Sequence, residues 1–137
     1  MKNFVRRYFA IPSTATNDPN IGKWYMIYRY SPTNTSLKAL VLSLLVKNTS
    51  YSSSHGDINV NLYIGRHTQE GLISDNPDTG PTVIYPLITS TEVLSNKDEF
   101  FLDRTKNLIV LNAGDGIAIK CSAGGIYAYC SILENVN

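Results

Sequence analysis

The chain is poor in the groups from which reactive sites are built. Of its 137 residues, 2 are cysteine, 2 are histidine and 17% are charged, with a formal net charge of +1. The cysteines lack Cys-x-x-Cys spacing, and His55 and His67 have no ligand-type partner at metal spacing, so no metal site is expected. The near-neutral balance supplies no field to draw a polyanion, and no nucleic-acid partner is expected. Lys2, Arg6 and Arg7 form the one basic cluster, which reads as a solvated or partner-facing N-terminal segment. No stretch nears the ~20 apolar residues of a membrane-crossing helix, so no membrane association is expected. Arg6 and Arg7 also interrupt any signal-type apolar segment, which predicts synthesis in the cytoplasm.

Loops that resemble sites fail on chemistry. Asp75-Asn76-Pro77-Asp78-Thr79-Gly80 is rich in oxygen, but an EF-hand register sets Pro77 and Pro86 where ligands belong. Gly114-Asp115-Gly116 runs into a strand, so no helix N-terminus follows to hold a phosphate. Asp98, Glu99 and Asp103 are close in sequence, which does not supply the cleft-spanning carboxylate pair of a glycosidase. The expectation is a protein that is not an enzyme and carries no cofactor.

What is present is β-pattern. With 43% hydrophobic residues, the chain is long enough to bury one continuous core without disulfides or metals. Residues 107–134 read as three short strands with turns at Asn112-Ala113-Gly114-Asp115-Gly116 and at Ser122-Ala123-Gly124-Gly125. Gly114, Asp115, Gly116, Gly124 and Gly125 are the expected turn residues. A hairpin of the second and third strands would set Cys121 opposite Ile126, Ile119 opposite Ala128 and Ile117 opposite Cys130. That register gives one apolar face and leaves Ala118, Lys120, Tyr127 and Tyr129 on the other. It also separates Cys121 and Cys130 by on the order of 13 Å, beyond disulfide reach, so both are expected as small buried hydrophobes.

Earlier segments extend the pattern. Asn3 to Ile11 is a strand of unclear faces, and STATNDPNIG after it is turn chemistry. Residues 1–22 are therefore expected as an N-terminal strand or arm with its loop, folded onto its own sheet or reaching a neighbour, and 23–137 as the body. Lys23 to Tyr30 is an aromatic strand whose Trp24, Tyr25, Tyr28 and Tyr30 read first as core packing and second as an interface or sugar platform, and Leu37 to Lys47 a strand, with a helix as its rival, that sets Leu40, Leu42, Leu44 and Val46 on one face. Ile58, Val60, Leu62 and Ile64 form the clearest alternation, and residues 50–57 would close a hairpin between these last two strands. A long turn-rich loop spans Arg66 to Pro81. With short strands at Thr82 to Ile88 and Glu99 to Leu102, the sum is an all-β, single antiparallel β-sandwich, jelly-roll-like, of about eight to nine strands.

The C-terminal stretch also carries a resemblance. The apolar strand before Ala113-Gly114-Asp115, the alternating strand ending in Cys121-Ser122-Ala123-Gly124-Gly125, and the strand closing on Ser131-Ile132-Leu133-Glu134 resemble the C-terminal half of small virion structural proteins of tailed bacteriophages. Tyr30-Ser31-Pro32-Thr33-Asn34-Thr35, leading into the next strand, is similar to an earlier segment of that group. Together the two segments cover roughly half the chain. The two cysteines stand where small residues or Val are more usual, and the N-terminal segment has no counterpart.

The resemblance implies a non-enzymatic subunit of a bacteriophage virion, located in the particle as a capsid decoration, cement, neck or tail protein. It would bind other virion proteins in symmetric copies as a homo-oligomer. The candidate interface residues are Arg6, Arg7, Tyr8, Trp24, Tyr25, Tyr127 and Tyr129, since Tyr and Trp suit subunit contacts. The alternative is a carbohydrate- or receptor-binding β-sandwich module that stacks sugars on exposed Tyr and Trp.

Overall fold

The computed structural model describes residues 2–12, 18–49, 58–73, 80–88, 93–94, 99–103 and 108–137. Its strands are β1 (Asn3–Ile11), β2 (Tyr25–Arg29), β3 (Lys38–Asn48), β4 (Ile58–Arg66), β5 (Gly71–Leu72), β6 (Thr82–Ile88), β7 (Val93–Leu94), β8 (Glu99–Asp103), β9 (Ile109–Leu111), β10 (Asp115–Cys121) and β11 (Ile126–Val136). Two of these, β5 and β7, are only 2 residues long, and the remaining nine agree with the expected number.

The strands form two antiparallel sheets. Sheet A has the order β1-β11-β3-β8 with β9 also on β3, and sheet B the order β5-β2-β10-β4-β6 with β7 also on β4. The pairs β1·β11, β2·β10, β3·β8 and β4·β6 are nested, as in one long hairpin rolled up so that successive arms fall in alternate sheets. That is jelly-roll order.

The nesting corrects two local expectations. β10 and β11 are not a hairpin: β10 pairs with β2 and β4, while β11 pairs with β1 and β3. Likewise β3 and β4 lie in different sheets, and their connection at 50–57 lies outside the described residues. Alternation identifies which side chains face the core but not which strand lies alongside. Ile117, Ile119 and Cys121 do share a core with Ile126, Ala128 and Cys130, facing them from the opposite sheet. For the same reason Lys120 and Tyr127 belong to the outer faces of different sheets, and Ala118 is buried under a separate cluster with Trp24 and Met26.

A third correction concerns β3. Ala39 and Val41 point inward, and then Leu44 and Val46 do, so the phase reverses within the strand. The pairing with β11 steps from Ser43↔Ser131 to Val41↔Ile132, which leaves Leu42 as an extra residue. This bulge moves Leu40 to the outer face. In β4, which has no such insertion, Ile58, Val60, Leu62 and Ile64 are buried as the alternation requires. Cys121 and Cys130 are free and buried. Burial pushes each thiol up to about 12, with Asp18 adding to the effect at Cys121 and Arg7 opposing it at Cys130.

Candidate assembly interface

The outer face of sheet A is built by the alternates of its core residues. Phe9 and Ile11 of β1 and Ala128 and Cys130 of β11 are buried, so Tyr8, Ala10, Tyr127 and Tyr129 face away from the core. Tyr8 stands directly across from Tyr129, their ring centroids 5.3 Å apart, and 6.3 Å from Tyr127. Burial and the neighbouring phenols Tyr8 and Tyr129 raise the Tyr127 hydroxyl above its ordinary range. The row continues to Leu45 on β3, and a parallel row runs Phe4, Leu133, Leu40 and Val110 across β1, β11, β3 and β9. Between them lies a polar row of Arg6, Ser131 and Ser43. Phe4 is 73% exposed and Tyr8 59%, values unusual for side chains of their size in a folded chain.

The expected interface residues separate into two groups. Arg6, Tyr8, Tyr127 and Tyr129 come together on this face. Arg7 points to the other side of β1, where its Nε lies 3.2 Å from Glu70 Oε1, an oxygen that also accepts the Arg29 backbone N–H. Trp24 is 8% exposed on the opposite sheet. Tyr63 lies 4.8 Å from its ring centroid, Lys120 Nζ stands 5.8 Å over it, and Gly80 is so close that a Cβ there would meet Nε1 at 2.7 Å. Tyr25 packs on Phe9 with centroids 4.8 Å apart. Each ring is packed against a side chain of its own chain.

Phe4, Leu40, Leu45, Val110 and Leu133 are the contributions that pattern reasoning missed. The signal for Phe4 was its parity with Tyr8; for Leu40 the bulge concealed it.

Asp115 and Gly116 open β10 rather than lying in the turn before it, and with Gly114 they fix the end of the sandwich where Tyr30 follows β2, while Gly124 and Gly125 lie beyond the other end of β10. Gly114 has φ 90 and donates its N–H to Tyr30 C=O at 2.8 Å, and Tyr30 N–H donates to Asp115 C=O at 2.8 Å. Asp115 is buried, accepts Arg66 Nε and Nη2 on Oδ1 at 3.1 and 3.0 Å, and accepts the Asn112 N–H on Oδ2 at 2.9 Å. Gly116 lies against β2, where an added Cβ would sit 2.0 Å from Tyr28 O. Gly124 is buried, and Gly125 has φ 97. Tyr28 and Tyr30 reach across the core to the end of β11, where their hydroxyls meet Glu134 and Asn135. Burial and the bond to Glu134 hold the Tyr28 phenol far above its ordinary range.

Among the described residues no group of three or more His, Cys, Asp and Glu is placed to hold a metal ion. His55, residues 75–79 and Asp98 lie outside the described residues.

No family model and no curated protein matches the chain. Among solved structures it is similar to a chain of the acidic stable capsid structure of Helicobacter pylori bacteriophage KHP30, with a TM-score of 0.49 and 7% identity. The match covers 98% of this chain and 87% of that one.

Proposed function

We propose that the protein is a non-enzymatic structural subunit of a bacteriophage virion that binds neighbouring capsid, neck or tail proteins in symmetric copies. One observation carries the reading: sheet A presents two rows of aromatic and aliphatic side chains to solvent, with Tyr8 and Phe4 the most exposed. Such a surface is costly in water and is kept where another protein covers it. The sequence resemblance supplies the kind of assembly. Trp24 and Tyr25 are packed against their own chain, which weakens the sugar-stacking alternative.

The test is the mass of the purified chain in solution by light scattering, with a glycan-binding assay on the same sample and an immunoblot of density-purified particles. A closed oligomer that Tyr8→Ser with Tyr129→Ser returns to monomer, together with chain in the particles and no sugar bound, is the expected result. A monomer absent from particles that binds a defined sugar would overturn it.

A further inference from the structure

β1 ends sheet A, and among the described residues no strand pairs with its outer side. It meets β11 in unbroken register from Asn3↔Glu134 to Ile11↔Ile126, so the edge is regular over its whole length. β6, the edge of sheet B, is the opposite case: two register shifts and Pro86 interrupt its ladder. Bulges and proline, two of the devices that close an edge to other strands, are absent from β1, which carries instead the charges of Arg6 and Arg7.

Two bonds identify the groups that face outward. Gly125, just beyond the ladder, sends its C=O to the Thr49 N–H at 2.6 Å on the β3 side and its N–H to Ile11 C=O at 2.7 Å on the β1 side. Ile11 therefore turns its carbonyl toward β11. In an antiparallel strand the N–H and C=O of one residue share a side, and that side alternates along the chain. Residues 3, 5, 7, 9 and 11 thus bond β11, while Phe4, Arg6, Tyr8 and Ala10 direct theirs away. Arg7 Nη1 donates to Arg6 C=O at 3.0 Å, as fits a carbonyl outside the ladder.

We propose that this edge accepts an extended strand from a different protein of the particle, one with two consecutive carboxylate side chains opposite Arg6 and Arg7 and apolar side chains to either side. Arg6 and Arg7 project to opposite faces at the middle of the edge, so a strand laid alongside meets the Arg6 guanidinium on one face and, on the other, that of Arg7, which Glu70 holds through Nε and which a second carboxylate would share. Consecutive Asp or Glu residues answer both. Phe4 and Tyr8 flank Arg6 on the outer face and favour apolar partners at the alternate positions. The β1 of a second copy is the wrong occupant, because the two-fold register that uses all of β1 sets Arg7 against Arg7 and gathers four guanidinium groups. The inference rests on the assembly role but not on the tyrosine face, which can fail separately.

The experiment uses two synthetic peptides of alternating Thr and Val, one interrupted by Glu-Glu and the other by Lys-Lys, added to the full chain. Amide hydrogen exchange is followed residue by residue. The Glu-Glu peptide should slow exchange at Phe4, Arg6, Tyr8 and Ala10 and bind about tenfold more tightly than the Lys-Lys peptide. Arg6→Glu should reverse that preference. Tyr8→Pro, which removes one outward N–H and none of the ladder's, should abolish binding while the thermal melt is retained. Equal binding of both peptides, or protection elsewhere only, would overturn the proposal. So would slow exchange at the four amides that depends on the concentration of the chain alone, since the occupant would then be a second copy. A chain that fails to enter particles leaves these peptide-binding outcomes unaffected.

Discussion

Arg66 directs two nitrogens, Nε and Nη2, at the same oxygen of Asp115, while the other oxygen of that carboxylate takes the Asn112 N–H. The Asp115 side chain is 3% exposed and that of Arg66 57%, so the charge at risk is the carboxylate. Asp115→Ala should cost about 3 kcal/mol in denaturant unfolding, since it strips the Asn112 N–H and the guanidinium of their acceptor at once. Asp115→Asn should cost less, because its amide oxygen can still cap Asn112. Equal losses for the two would assign the whole effect to the ion pair.

Gly116 is required by contact and Gly114 by conformation. An alanine at 116 meets a backbone oxygen at 2.0 Å, and β2 cannot move without breaking its pairing with β10. Gly116→Ala should destabilise by at least about 2 kcal/mol. Gly114→Ala would meet the Arg66 side chain only at an ordinary contact distance of 3.8 Å but must hold φ near 90, at a cost of about 1 kcal/mol. Chemical denaturation of both variants checks the order.

The N-terminal strand pairs with β11 along its whole length. Phe9 and Ile11 lie in the core, and each contributes roughly 2 kcal/mol by burial. Deleting residues 1–12 should abolish the cooperative melt and expose β11 as a new edge. A truncated chain that melts cooperatively would show that β1 is an independent arm.

Alkaline pH should weaken the fold through its thiols. Cys121 and Cys130 move from 9.0 to about 12 on folding. Below pH 9 both are neutral in either state and stability is complete. Between 9 and 12 only the unfolded chain ionises, so stability falls, by up to roughly 4 kcal/mol for each thiol. The buried Tyr28 phenol acts in the same direction. Urea melts from pH 8 to 11 should show this slope, and Cys130→Ala should remove about a third of it, the share of one of three contributing groups.

The faces of strands were legible wherever alternation ran uninterrupted, as at Ile58, Val60, Leu62 and Ile64, and again at Ile126, Ala128 and Cys130. Leu42 marks the first limit: a single extra residue reverses the phase, and nothing in LKALVLSLLVK announces it. Neighbour choice marks the second. Cys121 and Ile126 are joined by a short turn yet bond to different sheets, because pairing in a nested roll is decided by strands far away in sequence. Of the candidate surface, Tyr127 and Tyr129 were visible from parity alone. Their partner Tyr8 was visible only as one aromatic of a strand with unclear faces, and Trp24 read as core or as interface until its cover of Tyr63 and Lys120 was placed.

The pairing of Asn3 with Glu134 spans 131 positions of sequence, and it has a consequence for synthesis. A ribosome that has made β1 must make nearly everything else before β11 exists to receive it. Sheet A, with its tyrosine row and its open edge, therefore closes only after translation has passed residue 134, and loops of this length close slowly. Until then neither surface exists, so any partner that reads them meets only molecules that have finished folding.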